Sequence, residues 1–391
     1  MNILLVSEFF YPWPGGAEFT NWKIMKGLVE KGHKVSVVTS RIFGTKEYEI
    51  LDGLEIYRPF PIFDPKKNND ISLTKRFIFT TKLYPYLMNF LKSHEIDIIC
   101  NVEYATAWPA YRAATKNKIP SILCIHSLVG ILWYKNANPV FATLAYFREK
   151  IPIILFRFDA ISCNSNMVAK RLEFHASKNI YVTQHLFDIP EIIDISKKTD
   201  VKSVRDNLGI KSSELFLLCV GALISVKNIE GLIRALCKSQ TNYVLVLVGD
   251  GPRKNKIEKL TISKNMQQKV ILLGAKTHEE TIRIMASCNI LLLPSQSETF
   301  SLVAMEALAI GKPVIATKVG ILPELNSNNL YLVDRIEDIN NLIQNKITPG
   351  NEDFLSSYPS REKVIGYFEN MLFQVIQGST RKYNEIHRPA N

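Results

Sequence analysis

Few of the features that announce a chemistry are present. The six cysteines among 391 residues fall mostly inside apolar runs such as Ile122-Leu123-Cys124-Ile125 and Leu217-Leu218-Cys219-Val220. None has the spacing of a zinc site or a disulfide framework, which predicts reduced core thiols in a cytoplasmic protein. No Asp-X-Asp pair follows an apolar run and no His/carboxylate cluster is visible, so no metal and no cofactor is expected. No apolar run reaches the ~20 residues that a membrane-spanning helix needs. The start, Met1-Asn2-Ile3-Leu4-Leu5-Val6, has no basic segment before it and runs at once into Ser7-Glu8, which suits a first buried strand better than a signal peptide. No basic helix or aromatic-basic stripe of a nucleic-acid reader appears, which argues against nucleic acid as a partner.

What is present is an ordinary globular composition, 47% hydrophobic and 22% charged, with a net charge of +11. The length allows two domains with separate cores. Up to Pro190 there are 23 Lys and Arg against 16 Asp and Glu, so the basic excess leans towards the first half and suits an anionic partner. Short apolar runs alternate with helical patterns throughout, which implies α/β architecture with parallel sheets and right-handed crossovers. In the first half the runs are Ile3–Ser7, Lys34–Thr39, Leu54–Tyr57, Asp97–Cys100, Ser121–Ile125, Asp159–Ser165 and Ile180–Thr183. In the second they are Leu215–Val220, Tyr243–Val248, Val270–Leu273, Ile290–Leu293 and Val314–Thr317. The expected division is 1–190, 191–358 and 359–391, with a polar linker over 188–214 and a loose tail after Gly378.

The most informative stretch is Pro294 to Glu324, which reads strand, turn, helix, turn, strand. Glu298 and Glu306, eight positions apart, would lie about 80° apart around a helix and about 12 Å along it. The residues between them are apolar, and a buried unpaired carboxylate costs several kcal/mol, so Glu306 needs donors. Those donors are either a core Lys or Arg or the hydroxyls of a ligand, and Glu298 either caps a loop or faces that ligand. The helix start at Thr299, Phe300, Ser301 and Leu302 offers free N–H groups to an anion. A nucleotide diphosphate sugar fits this layout, with phosphates at the helix start, ribose at Glu306 and sugar at Glu298. Upstream, Gly221 ends a strand and Lys227 opens the next helix, a pattern that suits a phosphate but equally a solvated lysine. Gly15-Gly16 stands between a strand and a helix, where it serves close backbone approach or a tight turn.

The acidic pair, Leu293-Pro294-Ser295, Glu306-Ala307-Leu308-Ala309 and Gly311-Lys312-Pro313-Val314-Ile315-Ala316-Thr317 together resemble the signature of the family-four retaining glycosyltransferases. The likeness covers nearly the whole chain. It implies the GT-B fold: two Rossmann-like parallel-sheet domains facing a cleft, acceptor side first and nucleotide-sugar side second, with a C-terminal helix crossing back to the first. It also implies that Gly15 and Gly16 face the cleft, that His126 contacts the transferred sugar, that Lys227 meets the diphosphate, and that Gly251 lets the backbone pass close to the donor. Three departures stand out. The arginine usual after Gly221 is Ala222, for which Arg253 and Lys254 are the candidate replacements; the usual Asn-Gly is Gln184-His185; and the second glycine of the closing loop is Ile321.

The function expected is transfer of a sugar from a nucleotide sugar to a glycan or lipid-linked acceptor, as in polysaccharide biosynthesis, with His126, Lys227 and Glu298 catalytic. The alternatives are a nucleotide-sugar epimerase or hydrolase of the same fold, or a non-catalytic sugar-nucleotide-binding subunit. Basic residues interleaved with aromatics over 66–92 suggest either an amphipathic helix on an anionic membrane surface or a core-packed helix with a solvated basic face. Val140 to Phe158, rich in aromatics and broken by Arg148-Glu149-Lys150 and Pro152, is a second interfacial or an acceptor-cleft candidate.

Overall fold

Runs of apolar residues buried on both faces need a layer on each side, and parallel strands with crossover helices supply it. The computed structural model describes residues 1–13, 15–64, 70–126, 128, 130, 134, 139–173, 179–186, 189–345, 347 and 358–386. They form two units, one of residues 1–186 with 360–391 and one of residues 187–359.

In the first unit the strands are β1 (Asn2–Ser7), β2 (Lys34–Val38), β3 (Tyr48–Leu51), β4 (Leu54–Tyr57), β5 (Phe63–Asp64), β6 (Asp70–Ile71), β7 (Ile98–Val102), β8 (Ser121–Ile125), β9 (Ala160–Cys163) and β10 (Asn179–Val182). One sheet runs β10-β9-β8-β7-β1-β2-β4-β3, and β5 pairs with β6 apart from it. In the eight-stranded sheet only β3, paired with β4, is antiparallel. From β1 the chain moves outward to β2 on one side, and β7 lies on the other. The sheet therefore has a switch point between β1 and β7, and crevices of this kind hold ligands at strand C-terminal ends.

The last helix, Arg361–Ile386, belongs to this first unit. Val364, Ile365, Phe368, Met371, Leu372 and Val375 recur at helical spacing and share a core with Ile24, Met25 and Leu28 of the helix Gly16–Glu30. A Cβ at Gly27 would fall 2.2 Å from Ile365 Cδ1, so glycine sets how closely the two helices approach. Glu369 completes the contact, 2.7 Å from His33 Nε2 and paired with Lys31. The expected loose tail after Gly378 instead continues the helix to Ile386, since no proline interrupts it.

In the second unit β11 (Leu215–Val220), β12 (Tyr243–Val248), β13 (Val270–Gly274), β14 (Ile290–Leu293), β15 (Val314–Thr317) and β16 (Leu330–Val333) form a parallel sheet in the order β13-β12-β11-β14-β15-β16. Its switch point lies between β11 and β14. The expected polar linker is largely helical, over Ile189–Lys197 and Val201–Asn207. Ile192 and Ile195 bury one side of the first of these helices in the core of this unit, and Asp200 caps the second by accepting the Ser203 N–H at 3.1 Å. Charge around Lys197-Lys198 is the solvated face of a helix, not a sign of disorder.

Of the basic-aromatic segment 66–92, residues 66–69 lie outside those described. The rest is the helix Leu73–Ser93. Phe79, Leu83, Leu87 and Phe90 are buried in a core cluster, so one side of the helix is packed; Lys82 and Lys92 are exposed, and Arg76 turns to Glu8.

Candidate functional site

In the second unit the chain leaves β11 at Gly221 and β14 at Pro294-Ser295, on either side of the switch point. Gly221 has φ +148°, and Gly249 at the end of β12 has φ +140°; a Cβ at Gly249 would fall 2.0 Å from the Gly221 carbonyl oxygen. Only glycine permits two strand ends to meet this closely. A 3-10 turn, Ser225–Lys227, follows, and its Val226 carbonyl accepts the Gln296 N–H at 2.8 Å, which ties the two strand exits together.

That tie brings Lys227 to Glu298. Lys227 Nζ is 2.6 Å from Glu298 Oε1, and the Ser295 hydroxyl donates to the same oxygen at 2.7 Å. Lys227 is about one-quarter exposed and Glu298 less, so an ammonium and a carboxylate stand paired yet reachable at the carboxyl end of the sheet. Gly320, at φ +59°, packs where a Cβ would be 3.1 Å from Glu298 Cβ and 3.0 Å from the Thr299 carbonyl carbon. The loop after β15 thus presses on the segment carrying Glu298.

Glu298 and Glu306 do not share a helical face. The helix covers Leu302–Ala309 only, because Ser301 takes a left-handed conformation, φ +75°, and breaks the turn before it. Phe300 is buried and Ser301 nearly so, leaving Thr299 and Leu302 on either side of the helix start. Among the described residues the ionic partner of Glu306 is neither lysine nor arginine but His278, whose Nε2 is 2.9 Å from its Oε1. His278 was missed from the sequence. It is the first residue of the helix His278–Ser287, which a Thr277/Glu280 capping box starts. That box, Thr277-His278-Glu279-Glu280, was the available signal for its placement.

Gly251 has φ +158°, and a Cβ there would lie 2.7 Å from the Leu223 carbonyl oxygen. The turn it permits places Arg253 beside Ser225, whose hydroxyl accepts from Arg253 Nη2 at 3.1 Å. Arg253 Nε faces Glu230 Oε1 at 3.0 Å. Its charge is already matched by a carboxylate at the position expected to compensate for Ala222.

In the first unit a cavity of about 380 Å³ opens at the C-terminal ends of β1, β7 and β8. Ser7, Glu8, Asn21, Glu103 and His126 are among the residues that line it. Glu8 is held in a two-point contact by Arg76, Nε and Nη2 meeting its two oxygens. Gly15 precedes the helix Gly16–Glu30, and a Cβ on Gly15 would strike the Glu18 carboxylate at 1.9 Å. Burial raises the pKa of that carboxylate. His126 donates its backbone N–H to Glu103 at 2.9 Å; its ring meets His185 at 2.9 Å and Asn21 at 3.1 Å. Burial lowers His126 to about 4. His185 is lowered well below its usual value by burial and by the neighbouring ring.

Two family models match: Glycosyltransferase Family 4 over residues 14–188 and Glycosyl transferases group 1 over residues 200–351. The chain belongs to the family 4 glycosyltransferases. It is an enzyme of a retaining family that takes its sugar from a nucleotide sugar, and its two parallel sheets are those of the GT-B fold. It is 24% identical over 356 residues to the phosphatidylinositol N-acetylglucosaminyltransferase GPI3 subunit of Saccharomyces cerevisiae, covering 88% of this chain and 74% of that one. Sucrose-phosphate synthase from Thermosynechococcus elongatus superposes with a TM-score of 0.74 at 19% identity, over 99% of both chains. Anabaena Alr3699/HepE in complex with UDP-glucose gives 0.65 at 19% identity, covering 98% of this chain and 100% of that one.

Proposed function

We propose that the second unit binds the nucleotide diphosphate sugar at Lys227, Glu298 and the start of the helix Leu302–Ala309, and that the first-unit cavity receives a glycan or lipid-linked acceptor. The observation that carries this reading is the Lys227–Glu298 pair, 2.6 Å apart at the carboxyl ends of β11 and β14. The bond between the sugar and the diphosphate breaks, and negative charge grows on the leaving oxygen. The Lys227 ammonium and the N–H groups at the helix start stabilise that charge, so neither a metal nor a nucleophilic carboxylate is required. Glu298 accepts hydroxyls of the transferred sugar and Glu306 those of the ribose, with His278 steadying the Glu306 carboxylate. In the cavity Glu8, Glu103 and Asn21 offer oxygens to acceptor hydroxyls, and the neutral His126 ring, between Asn21 and His185, holds Asn21 in place. The protein works at the cytoplasmic face of a membrane or in the cytoplasm.

Thermal shift against a panel of nucleoside diphosphates tests the donor half, with uridine diphosphate first because the Anabaena structure holds UDP-glucose. A ligand at about 100 times its Kd stabilises by ~2.7 kcal/mol. Stabilisation by at least one nucleoside diphosphate, lost in Glu306→Gln, supports the reading. Indifference to the whole panel contradicts it.

A further inference from the structure

The helix Pro139–Ile154 carries more exposed hydrocarbon than a surface helix in contact with water sustains. Val140, Leu144, Phe147, Ile151 and Ile154 are 73%, 66%, 53%, 40% and 52% exposed, and Leu155, just past the end, is 64% exposed. At about 100° per residue these six fall within about 100° of arc, a single stripe. The opposite side, Ala142, Glu149, Pro152 and Ile153, is buried, and Glu149 is fixed there by accepting the Gly130 N–H at 2.7 Å. The stripe is therefore held outward by packing from behind.

We propose that this stripe docks the protein on the anionic face of a lipid bilayer. The charges beside it choose the occupant. Arg148 lies about 80° to one side of the stripe and Lys150 about 80° to the other. The Arg148 side chain is 53% exposed, its Nη2 3.8 Å from Glu8 at the cavity rim, and the Lys150 ammonium lies over the Tyr146 ring at 5.7 Å. Long basic side chains flanking an apolar stripe reach lipid phosphates while the stripe enters the acyl boundary. The one acid in the helix, Glu149, is the buried one, so the outward charge is wholly basic. A helix of this length spans about 24 Å, less than the ~30 Å hydrocarbon core. Among the described residues no helix is long and apolar enough to cross a membrane; this one lies flat.

The same helix supplies Phe141, Ala145 and Arg148 to the wall of the first-unit cavity. Docking there brings the head group of a membrane-held acceptor to the cavity mouth. That consequence, unlike the docking itself, rests on the cavity being the acceptor's.

The test uses the whole chain and vesicles of phosphatidylcholine alone or mixed with phosphatidylglycerol, at low and high salt. The expected result is co-sedimentation with the mixed vesicles only, weakened by salt, and reduced at least about tenfold in a Leu144→Gln, Phe147→Gln, Ile151→Gln triple variant. Phe77→Gln, on the packed helix Leu73–Ser93, should bind as the parent does. Phe147→Trp should gain fluorescence that brominated acyl chains quench beyond the quenching of the parent. Thermal shift by nucleoside diphosphate should be equal in parent and triple variant, which separates a failure of docking from a failure of the donor reading. Equal binding to both vesicles, an undiminished triple variant, or no added quenching overturns the proposal. So does a dimer that the triple variant converts to a monomer, which would make the stripe a contact between copies.

Discussion

His126 Nδ1 lies 2.9 Å from His185 Nε2, a half-buried ring and a buried one sharing one hydrogen bond. Both are neutral near neutral pH, so a single proton lies between them. With Asn21 Oδ1, 3.1 Å from His126 Nε2, assigned as the acceptor, His126 Nδ1 accepts and His185 Nε2 donates. The Thr20 hydroxyl lies 3.3 Å from His185 Nδ1 and donates to the Leu186 carbonyl at 3.4 Å. Asn164 has its Nδ2 at 3.0 Å from His185 Nε2 and its Oδ1 buried without a hydrogen-bond partner. Turning that amide so that its oxygen faces the ring satisfies both.

This arrangement makes His185 a positioning residue. Nitrogen NMR of histidine-labelled protein should show His126 protonated at Nε2. His185→Gln, which keeps an N–H donor, should preserve that tautomer, and His185→Leu should lose it. A His126 protonated at Nδ1 in the parent would contradict the assignment.

Stability should fall in acid partly through this pair. His126 titrates at about 4 in the folded chain and at about 6.5 when unfolded. Between these values the unfolded chain binds the proton that the folded chain refuses, so stability is fully present above about pH 6.5 and declines as pH falls towards 4. The shift corresponds to about 3 kcal/mol. Denaturant melts from pH 7 to 4 should show a shallower decline in His126→Gln than in the parent; parallel declines would contradict the assignment.

Glu306 distinguishes a ligand carboxylate from a structural one. Glu306→Gln should weaken nucleoside diphosphate binding by about 1.5 to 3 kcal/mol, as for a lost hydrogen bond to a charged group. His278→Gln should weaken it less, since the carboxylate remains. Calorimetry on the folded variants checks this. Unchanged affinity with lowered melting temperature would make the Glu306–His278 contact a packing feature alone.

Transfer should survive EDTA. Among the described residues no three His, Cys, Asp or Glu side chains group to hold a metal ion, and Lys227 supplies the positive charge in their place. Loss of activity in chelator, restored by magnesium or manganese, would show that charge assignment to be wrong.

Much of the scaffold was legible because its determinants are local. The run Leu215–Val220 could only be a buried strand, and Gly221, Gly249 and Gly251 mark backbone that other residues cannot follow. Lys227 and Glu298 were legible as candidates, but not their 2.6 Å contact, which depends on β11 and β14 lying side by side. The eight-residue spacing suggested a shared side for Glu298 and Glu306, but the left-handed Ser301 starts the helix only at Leu302 and leaves Glu298 in the loop before it. His278 and His185 were passed over for another reason. Each gains its role from a residue remote in sequence, Glu306 in one case and His126 in the other, and periodicity carries no information about such pairs. The pairing of Arg253 with Glu230 was not legible either, because Glu230 reads as an ordinary surface acid.

The most direct test of the account is the turnover of Lys227→Ala with saturating donor, measured on protein whose melting curve shows it folded. If Lys227 stabilises the leaving diphosphate, kcat should fall at least ~100-fold, a loss of about 2.7 kcal/mol or more of transition-state stabilisation. Turnover equal to that of the parent would mean that the diphosphate is held elsewhere, and the mechanism built on the Lys227–Glu298 pair would be wrong.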